Sequence, residues 1–235
     1  MPTAIVTGGT RGLGRALVEH LASDGWRVLF DARRGNDVQR TIDEIGRSHP
    51  AADLIGVPGS ITDGRHRSEL VDAIGGGDLA LLVNNAGALG PSPLPRLVDV
   101  EPGDLTDLLE TNVVAPLRLV SELLPPLQRA GGVVLNVSSD AAVEAYAGWG
   151  PYGTSKAALD HISRVLATEH PELAVYAFDP GDMRTDMHQA AFPGEDISDR
   201  PLPETVVPVL MRLVELRPPS GRYTSEDISM DPVLR

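Results

Sequence analysis

The stretch TGGTRGLGRA at residues 7–16 decides the fold. It follows the apolar run TAIVT (3–7) and opens a segment of helical periodicity, so a strand and a helix are predicted on its two sides. Gly8, Gly12 and Gly14 allow a tight backbone turn and the close approach of a phosphate group. The following helix would add unpaired N–H groups and a positive dipole. Because the motif lies between a strand and a helix, it favours a dinucleotide-binding turn.

The same alternation continues along the chain. Continuous apolar runs, typical of strands covered on both faces, occur at residues 3–7, 27–31, 54–57, 79–83, 133–137, 174–178 and 222–224. Helical periodicity occurs between them at residues 12–24, 36–48, 64–74, 102–130, 152–169 and 203–216. This pattern predicts an α/β, doubly wound fold with an about seven-stranded parallel sheet and helices on both faces. A single domain over residues 1–235 is expected.

Composition limits the class of protein. The chain has 235 residues, 42% of them hydrophobic, and a net charge of −13, which disfavours nucleic acid or an anionic membrane as a partner. It has no cysteine, and its six histidines show no metal-binding spacing, so no metal site is expected. No apolar stretch approaches 18 residues and no signal-peptide pattern is present. The expectation is a cytoplasmic protein that does not bind membranes.

One long segment, residues 186–203, shows no periodicity. Loops of this length are uncommon in compact domains and are often functional. A mobile lid near the substrate site is therefore predicted here, with an ordinary surface loop as the alternative.

The end of the second strand, LFDARR (29–34), bears on which dinucleotide is bound. An acidic residue there would bind a ribose 2′-OH, as in NAD sites, whereas arginine would accept the 2′-phosphate of NADP. Asp31 lies one residue before the position expected to bind the ribose. Arg33 and Arg34 follow it, and Arg11 lies in the glycine-rich turn. NADP is favoured, and NAD remains possible if Asp31 faces the ribose.

Lys156 is the only lysine in a chain that otherwise uses arginine, and Tyr152 precedes it by one helical turn. Residues four apart share a helix face, so the ammonium is predicted to lie near the phenol and to lower the pKa of that phenol. Lysine differs from arginine in being compact and in having a proton that can leave. This pair predicts acid/base chemistry.

Together these segments resemble the short-chain dehydrogenase/reductase family. The matching segments are TGGTRGLG, NNAG (84–87), Asn112, NVSS (136–139), Tyr152-x3-Lys156 and PGDMRT (180–185), in the family's order. The resemblance covers nearly the whole chain. It implies a Rossmann-type domain, a nicotinamide cofactor, and hydride transfer between that cofactor and a small-molecule carbonyl or alcohol.

The resemblance also implies roles for individual residues. Tyr152 would be the acid/base, and Lys156 would lower its pKa and hold the ribose hydroxyls. Ser139, 13 residues before the tyrosine, would bind the substrate oxygen, and Asn112 would position a proton-relay water. The cofactor contacts expected from the glycine turn, the arginines and the resemblance are Gly8, Thr10, Arg11, Gly12, Leu13, Gly14, Arg33, Arg34, Ser60, Ile61, Asn85, Ala86, Gly87, Tyr152, Lys156, Pro180, Gly181, Met183 and Thr185.

The sequence departs from the family pattern at Ser60, where an aspartate often binds adenine, and in lacking a glycine pair after the last strand. The resulting prediction is an NADP(H)-dependent oxidoreductase acting on a carbonyl/alcohol pair, in a homo-dimer or homo-tetramer. Two alternatives are an NAD-dependent alcohol dehydrogenase of the same family and a non-catalytic NADP-binding regulatory protein.

Overall fold

The structure, a computed structural model, describes residues 1–230, and the last five residues of the predicted domain lie outside the described residues. Seven strands occur in this range: β1 (Thr3–Val6), β2 (Arg27–Ala32), β3 (Asp53–Pro58), β4 (Leu81–Asn84), β5 (Val133–Val137), β6 (Ala174–Asp179) and β7 (Gly221–Thr224). All of their pairings are parallel, in the order β3-β2-β1-β4-β5-β6-β7. The strand order reverses between β1 and β4, which is where open α/β sheets bind ligands.

Helices connect the strands on both sides of the sheet. They are α1 (Gly12–Ser23), α2 (Gly35–Ser48), α3 (Gly64–Ala73), α4 (Pro102–Leu109), α5 (Ala115–Ala130), α6 (Gly150–Glu169), α7 (Asp186–Ala191), α8 (Val207–Leu216) and α9 (Ser225–Met230). A π-helical turn, Glu110–Val114, joins α4 to α5. Within residues 1–230, none of the helices has the length and apolar character needed to cross a bilayer.

Two hydrophobic cores cover the two faces of the sheet, because successive strand residues point in opposite directions. Ala4 and Val6 face one core with α1, α2 and α8, whereas Ile5 faces the other with α3 and α5. The five central strands, β2, β1, β4, β5 and β6, are mostly buried, which explains their continuous apolar sequences, whereas the edge strands β3 and β7 are only partly buried. Polar groups are therefore concentrated where the strands end.

The predicted doubly wound fold is confirmed, and three differences concern the site. The helix predicted over residues 102–130 is interrupted by the π turn that contains Asn112. The segment 186–203 opens with the short helix α7, which begins at the N-cap residue Thr185. A helix, α9, follows the last strand where the sequence pattern predicted none.

Candidate active site

The glycine-rich turn joins β1 to α1 at the reversal point of the sheet. Gly8 and Gly12 have positive φ angles of 68° and 54°, which favour glycine. A Cβ at Gly14 would lie 2.3 Å from the carbonyl oxygen of Gly8 and 2.4 Å from Nδ2 of Asn85, so only glycine fits there. Glycine at position 14 therefore lets the first turn of α1 pack directly against the backbone of Gly8.

The N-terminus of α1 has no side-chain cap. Its N-cap residue, Arg11, makes no capping hydrogen bond, and the first turn contains no acidic residue. Because the first N–H groups of a helix lack intrahelical acceptors, an uncapped helix start beside a glycine turn suits a phosphate group.

Asp31 points into the protein. Its Oδ1 accepts a hydrogen bond from the Gly8 N–H at 2.6 Å, its Oδ2 lies 2.9 Å from Nε2 of His66, and both side chains are buried. The buried carboxylate thus fixes the backbone of the glycine turn from the protein interior. Among the described residues, Asp31 and His66 form a buried pair that sequence reasoning did not anticipate.

Arginine side chains occupy the exposed corner next to this turn. Arg33 and Arg34 follow β2 and are exposed. Arg34 forms a distant ion pair with Asp37 at 3.8 Å, and Arg11 lies 3.5 Å from Asp186 of α7. The glycine turn, which carries Arg11, and the end of β2, which precedes Arg33 and Arg34, therefore meet at one end of the sheet.

The segment after β4 is tied to the glycine turn by Thr7. The Thr7 hydroxyl accepts hydrogen bonds from the N–H groups of Asn85 (3.0 Å) and Ala86 (2.9 Å). Asn85 Nδ2 in turn donates to the Thr7 carbonyl at 2.8 Å. On the other side, the Ser60 hydroxyl pairs with Thr62 at 2.9 Å, and Ile61 is buried. Asn85 and Ala86 are thus held against the strand end that leads into the glycine turn.

Tyr152 and Lys156 lie on one face of α6, as their spacing predicted. Lys156 Nζ is 5.5 Å from the centre of the Tyr152 ring and donates to the Val137 carbonyl at 2.8 Å. Both side chains are buried. The ammonium is therefore placed between the phenol and the end of β5.

Asn112 reaches the same region from the π turn. Its Oδ1 accepts from the Ala88 N–H at 2.8 Å, and its Nδ2 donates to the Ala88 carbonyl at 2.9 Å and to Ser155 Oγ at 3.0 Å. A Cβ at Gly87 would lie 3.4 Å from Asn112 Oδ1 and 3.8 Å from Lys156 Nζ. Glycine at 87 thus leaves Asn112 and Lys156 facing the same backbone segment.

Ser139 follows β5 and caps a short 3₁₀ turn. Its hydroxyl donates to Asp140 Oδ1 at 2.8 Å and accepts from the Ala141 N–H at 3.2 Å. Asp140 also accepts from the Tyr146 hydroxyl at 3.0 Å. The proton of Ser139 is therefore directed toward a neighbouring carboxylate, a contact that the adjacent Ser-Asp sequence could have suggested.

The pKa values of the central pair reflect their burial. Burial, followed by the charges of Asp179 and Asp140, raises the pKa of Tyr152, and the neighbouring Ser139 hydroxyl lowers it in part. This direction is opposite to the predicted one, because burial and the two nearby carboxylates both disfavour the phenolate. Burial lowers the pKa of Lys156 to about 8, while Asp160 raises it.

The segment after β6 approaches the glycine turn. Gly181 has a φ angle of 73° and donates its N–H to Asp179 Oδ1 at 3.0 Å. A Cβ at Gly12 would lie 3.4 Å from Cγ2 of Thr185, and Met183 packs against the core. Of the four residues predicted in this segment, Thr185 thus lies against the glycine turn.

An apolar cluster covers the outer side of Tyr152. It contains Tyr152, Leu89, Ala141 and Ala191, with Leu94, Trp149, Met187, Ala190 and Phe192 packed around them. Trp149 meets Tyr152 edge to face at 5.6 Å, and Phe192 lies 6.0 Å from Trp149. Trp149 thus belongs to this cluster, whereas Tyr146, three residues earlier, is exposed.

Comparison with known proteins agrees with this arrangement. The family model for short chain dehydrogenase matches residues 2–196. The chain is 31% identical to sepiapterin reductase of Xenopus laevis, over 98% of this chain and 88% of that protein. It is 33% identical to serine 3-dehydrogenase of Agrobacterium fabrum, over 78% of this chain and 73% of that protein.

Solved structures show the same fold. A Saccharomyces cerevisiae short-chain dehydrogenase/reductase, YIR035C, superposes with a TM-score of 0.86 at 26% identity, covering 100% of this chain and 98% of that one. A Shigella flexneri protein described as a short chain dehydrogenase and complexed with NADP superposes with a TM-score of 0.89 at 25% identity, covering 96% and 97%. The chain belongs to the short-chain dehydrogenase/reductase family, as predicted, and is an oxidoreductase acting on a CH–OH/C=O pair.

Proposed function

We propose that the protein is an NADP(H)-dependent dehydrogenase/reductase that interconverts a small-molecule carbonyl compound and its alcohol. The observation that carries the choice of NADP is the orientation of Asp31. Its carboxylate is buried against Gly8 and His66, while Arg33 and Arg34 are exposed at the end of β2. Arginine can accept a 2′-phosphate, whereas the inward carboxylate is withdrawn from a 2′-OH. The Shigella flexneri relative complexed with NADP supports this choice.

The residues present fit a nicotinamide dinucleotide. Gly14 packs against Gly8 because it has no side chain, and the start of α1 has no side-chain cap. Together these two features provide a place for the pyrophosphate. The contact residues we propose are Gly8, Thr10, Arg11, Gly12, Leu13, Gly14, Arg33, Arg34, Ser60, Ile61, Asn85, Ala86, Gly87, Tyr152, Lys156, Pro180, Gly181, Met183 and Thr185. When bound, the nicotinamide supplies or receives the hydride exchanged with the substrate carbon.

In this proposal Tyr152 exchanges the proton with the substrate oxygen. For carbonyl reduction the phenol donates that proton, and for alcohol oxidation the phenolate accepts it. Ser139 stabilises the developing charge by donating its hydroxyl hydrogen to the same oxygen. Because that hydrogen is directed at Asp140 in the structure, the Ser139 hydroxyl rotates when substrate binds.

Lys156 and Asn112 support the proton transfer. Lys156 places its ammonium beside the phenol and can release a proton, because burial lowers its pKa to about 8. Asn112 faces the Gly87 segment opposite Lys156 and can hold a relay water there. Since the protein's own groups raise the pKa of Tyr152, a positively charged oxidised nicotinamide would supply the opposing effect.

Thermal denaturation with NADP+ or NAD+ tests the choice of cofactor. A ligand that binds only the native state raises its Tm, so NADP+ is expected to stabilise the protein at concentrations where NAD+ does not. In the double variant Arg33→Ala/Arg34→Ala, the NADP+ effect should fall toward that of NAD+. The variant Arg40→Ala, in the exposed part of α2, is the matched control and should keep the preference. Equal stabilisation of the wild type by both nucleotides would contradict the proposal.

NADPH oxidation with a panel of ketones and aldehydes tests catalysis. Turnover by the wild type, lost in Tyr152→Phe while NADP+ still raises the Tm of that variant, is the expected result. NADP+ binding without turnover of any carbonyl compound would instead support the non-catalytic alternative. The lid role of residues 186–203 and the homo-oligomeric state remain predictions, testable by limited proteolysis and by sedimentation.

A further inference from the structure

Arg222, in the last strand β7, connects three separate parts of the active site. Its guanidinium donates to Asp160 Oδ2 at 3.1 Å, to Asp179 Oδ2 at 2.8 Å and to the backbone carbonyl of Ser139 at 3.1 Å. Asp160 and Asp179 are buried, and about three quarters of the Arg222 side chain is covered. One cation thus links α6, β6 and the segment that follows β5.

Each of these acceptors is adjacent to a proposed catalytic group. Asp160 follows Lys156 by one turn of α6 and acts on its charge. Asp179 ends β6, holds the Gly181 N–H and acts on Tyr152. Ser139 is the proposed ligand of the substrate oxygen. The guanidinium therefore contacts the groups that set the position and the charge of the site, without touching Tyr152 or Lys156 in any hydrogen bond of the described residues.

We propose that Arg222 is a positioning residue, which fixes the backbone at Ser139 and neutralises the two buried carboxylates of Asp160 and Asp179 behind Lys156 and Tyr152. This inference rests on the proposed function for the roles of Ser139, Tyr152 and Lys156. A buried carboxylate that loses its cation is strongly destabilised. Replacing Arg222 by a neutral residue therefore leaves Lys156 as the cation nearest to Asp160.

The charged and polar groups around Lys156 can be named from the structure. They are Asp160 on the same helix, the Val137 carbonyl at the end of β5, Tyr152, and Asn112 near Gly87. Around Tyr152 they are Asp179, Asp140, Ser139 and Lys156, and an apolar cluster packs against the ring. Loss of the Arg222 charge should therefore raise the pKa of both groups, because negative charge is left uncompensated beside each.

Since Lys156 is the only lysine, its pKa can be measured without assignment and without substrate. Protein labelled with ¹³C at lysine Cε gives one lysine signal, expected to titrate near 8 in the wild type. In Arg222→Gln the midpoint should rise by about one pH unit, the order of magnitude expected when one nearby positive charge is lost at an effective dielectric near 20. An unchanged midpoint in folded Arg222→Gln would overturn the inference.

Arg217→Gln is the matched control. Arg217 also donates to backbone carbonyls, those of Gly131 and Gly132, but at the opposite end of β5. The Arg217→Gln substitution should leave the titration midpoint of Lys156 unchanged even if it lowers Tm. If Arg222→Gln does not fold, Asp160→Asn replaces it. That variant keeps Arg222 and should lower the midpoint below the wild-type value, and a rise or no change would overturn the inference.

The pH–rate profile adds a catalytic readout. In alcohol oxidation, the apparent pKa of the rising limb should shift upward in Arg222→Gln and stay near the wild-type value in Arg222→Lys, which keeps the charge. A lower rate with an unshifted profile would indicate a merely structural role. Absence of any wild-type turnover would refute the proposed function but not the NMR result, so the two failures are distinguishable.

Discussion

Gly14→Ala should damage the cofactor turn through a contact that can be measured in the structure. The new Cβ would lie 2.3 Å from the Gly8 carbonyl oxygen and 2.4 Å from Asn85 Nδ2. Neither neighbour is free to move, because Gly8 donates to Asp31 at 2.6 Å and Asn85 donates to Thr7 at 2.8 Å. To restore ordinary van der Waals contact, α1 must shift by about 1 Å.

Such a shift should lower both stability and cofactor affinity. Overpacking of this kind costs about 1–3 kcal/mol. At roughly 2–4 °C per kcal/mol for a chain of this size, Tm should fall by about 2–12 °C. Because the displaced helix start is the proposed phosphate site, the rise in Tm produced by NADP+ should also shrink.

Gly46→Ala is the control for this experiment, measured by the same thermal melts with and without NADP+. Gly46 lies in α2, is exposed, and has no neighbour within 4 Å of an added Cβ. Alanine there should raise stability by up to about 1 kcal/mol through helix propensity, with the NADP+ effect unchanged. If Gly14→Ala melted like the wild type and kept its full NADP+ response, the argument from this contact would be refuted.

Three further predictions concern buried groups. Lys156→Arg should cut turnover about 100-fold while NADP+ still raises Tm, because a guanidinium is bulkier and keeps its proton; near wild-type kcat would contradict this. His66→Leu should lower stability by about 1–3 kcal/mol and weaken NADP+ binding, because Asp31 loses its buried partner; exposed His161→Leu is the control, and equal melts of the two variants would count against the role of the pair. The pKa of Lys156 is about 8 in the folded protein and 10.5 in the unfolded chain. Between these two pH values the unfolded chain binds more protons than the folded protein, so the contribution of Lys156 to the free energy of unfolding rises with pH. Compared with Lys156→Met, the wild type should gain up to about 3 kcal/mol from pH 7 to pH 10 in urea denaturation, and a loss would contradict the sign.

Much of this site could be predicted from local sequence. The strands, the glycine turn and the shared face of Tyr152 and Lys156 depend on residues close together in the chain, where hydrophobic period and helix spacing are informative. Asp160, one further turn along α6, could have been found by extending the same spacing. The resemblance of short motifs to one family then supplied Ser139 and Asn112.

Tertiary structure decided what depends on distant residues. The inward orientation of Asp31 requires His66, 35 residues away, and the placement of Arg222 behind Ser139 spans 83 residues. The pKa of Tyr152 is raised because folding buries it near Asp179, a balance of solvation and charge that no local pattern contains. The sequence by itself thus determined the order of the seven strands and the identity of the proposed reactive groups, whereas their charge environment arose only when folding brought the strand ends together.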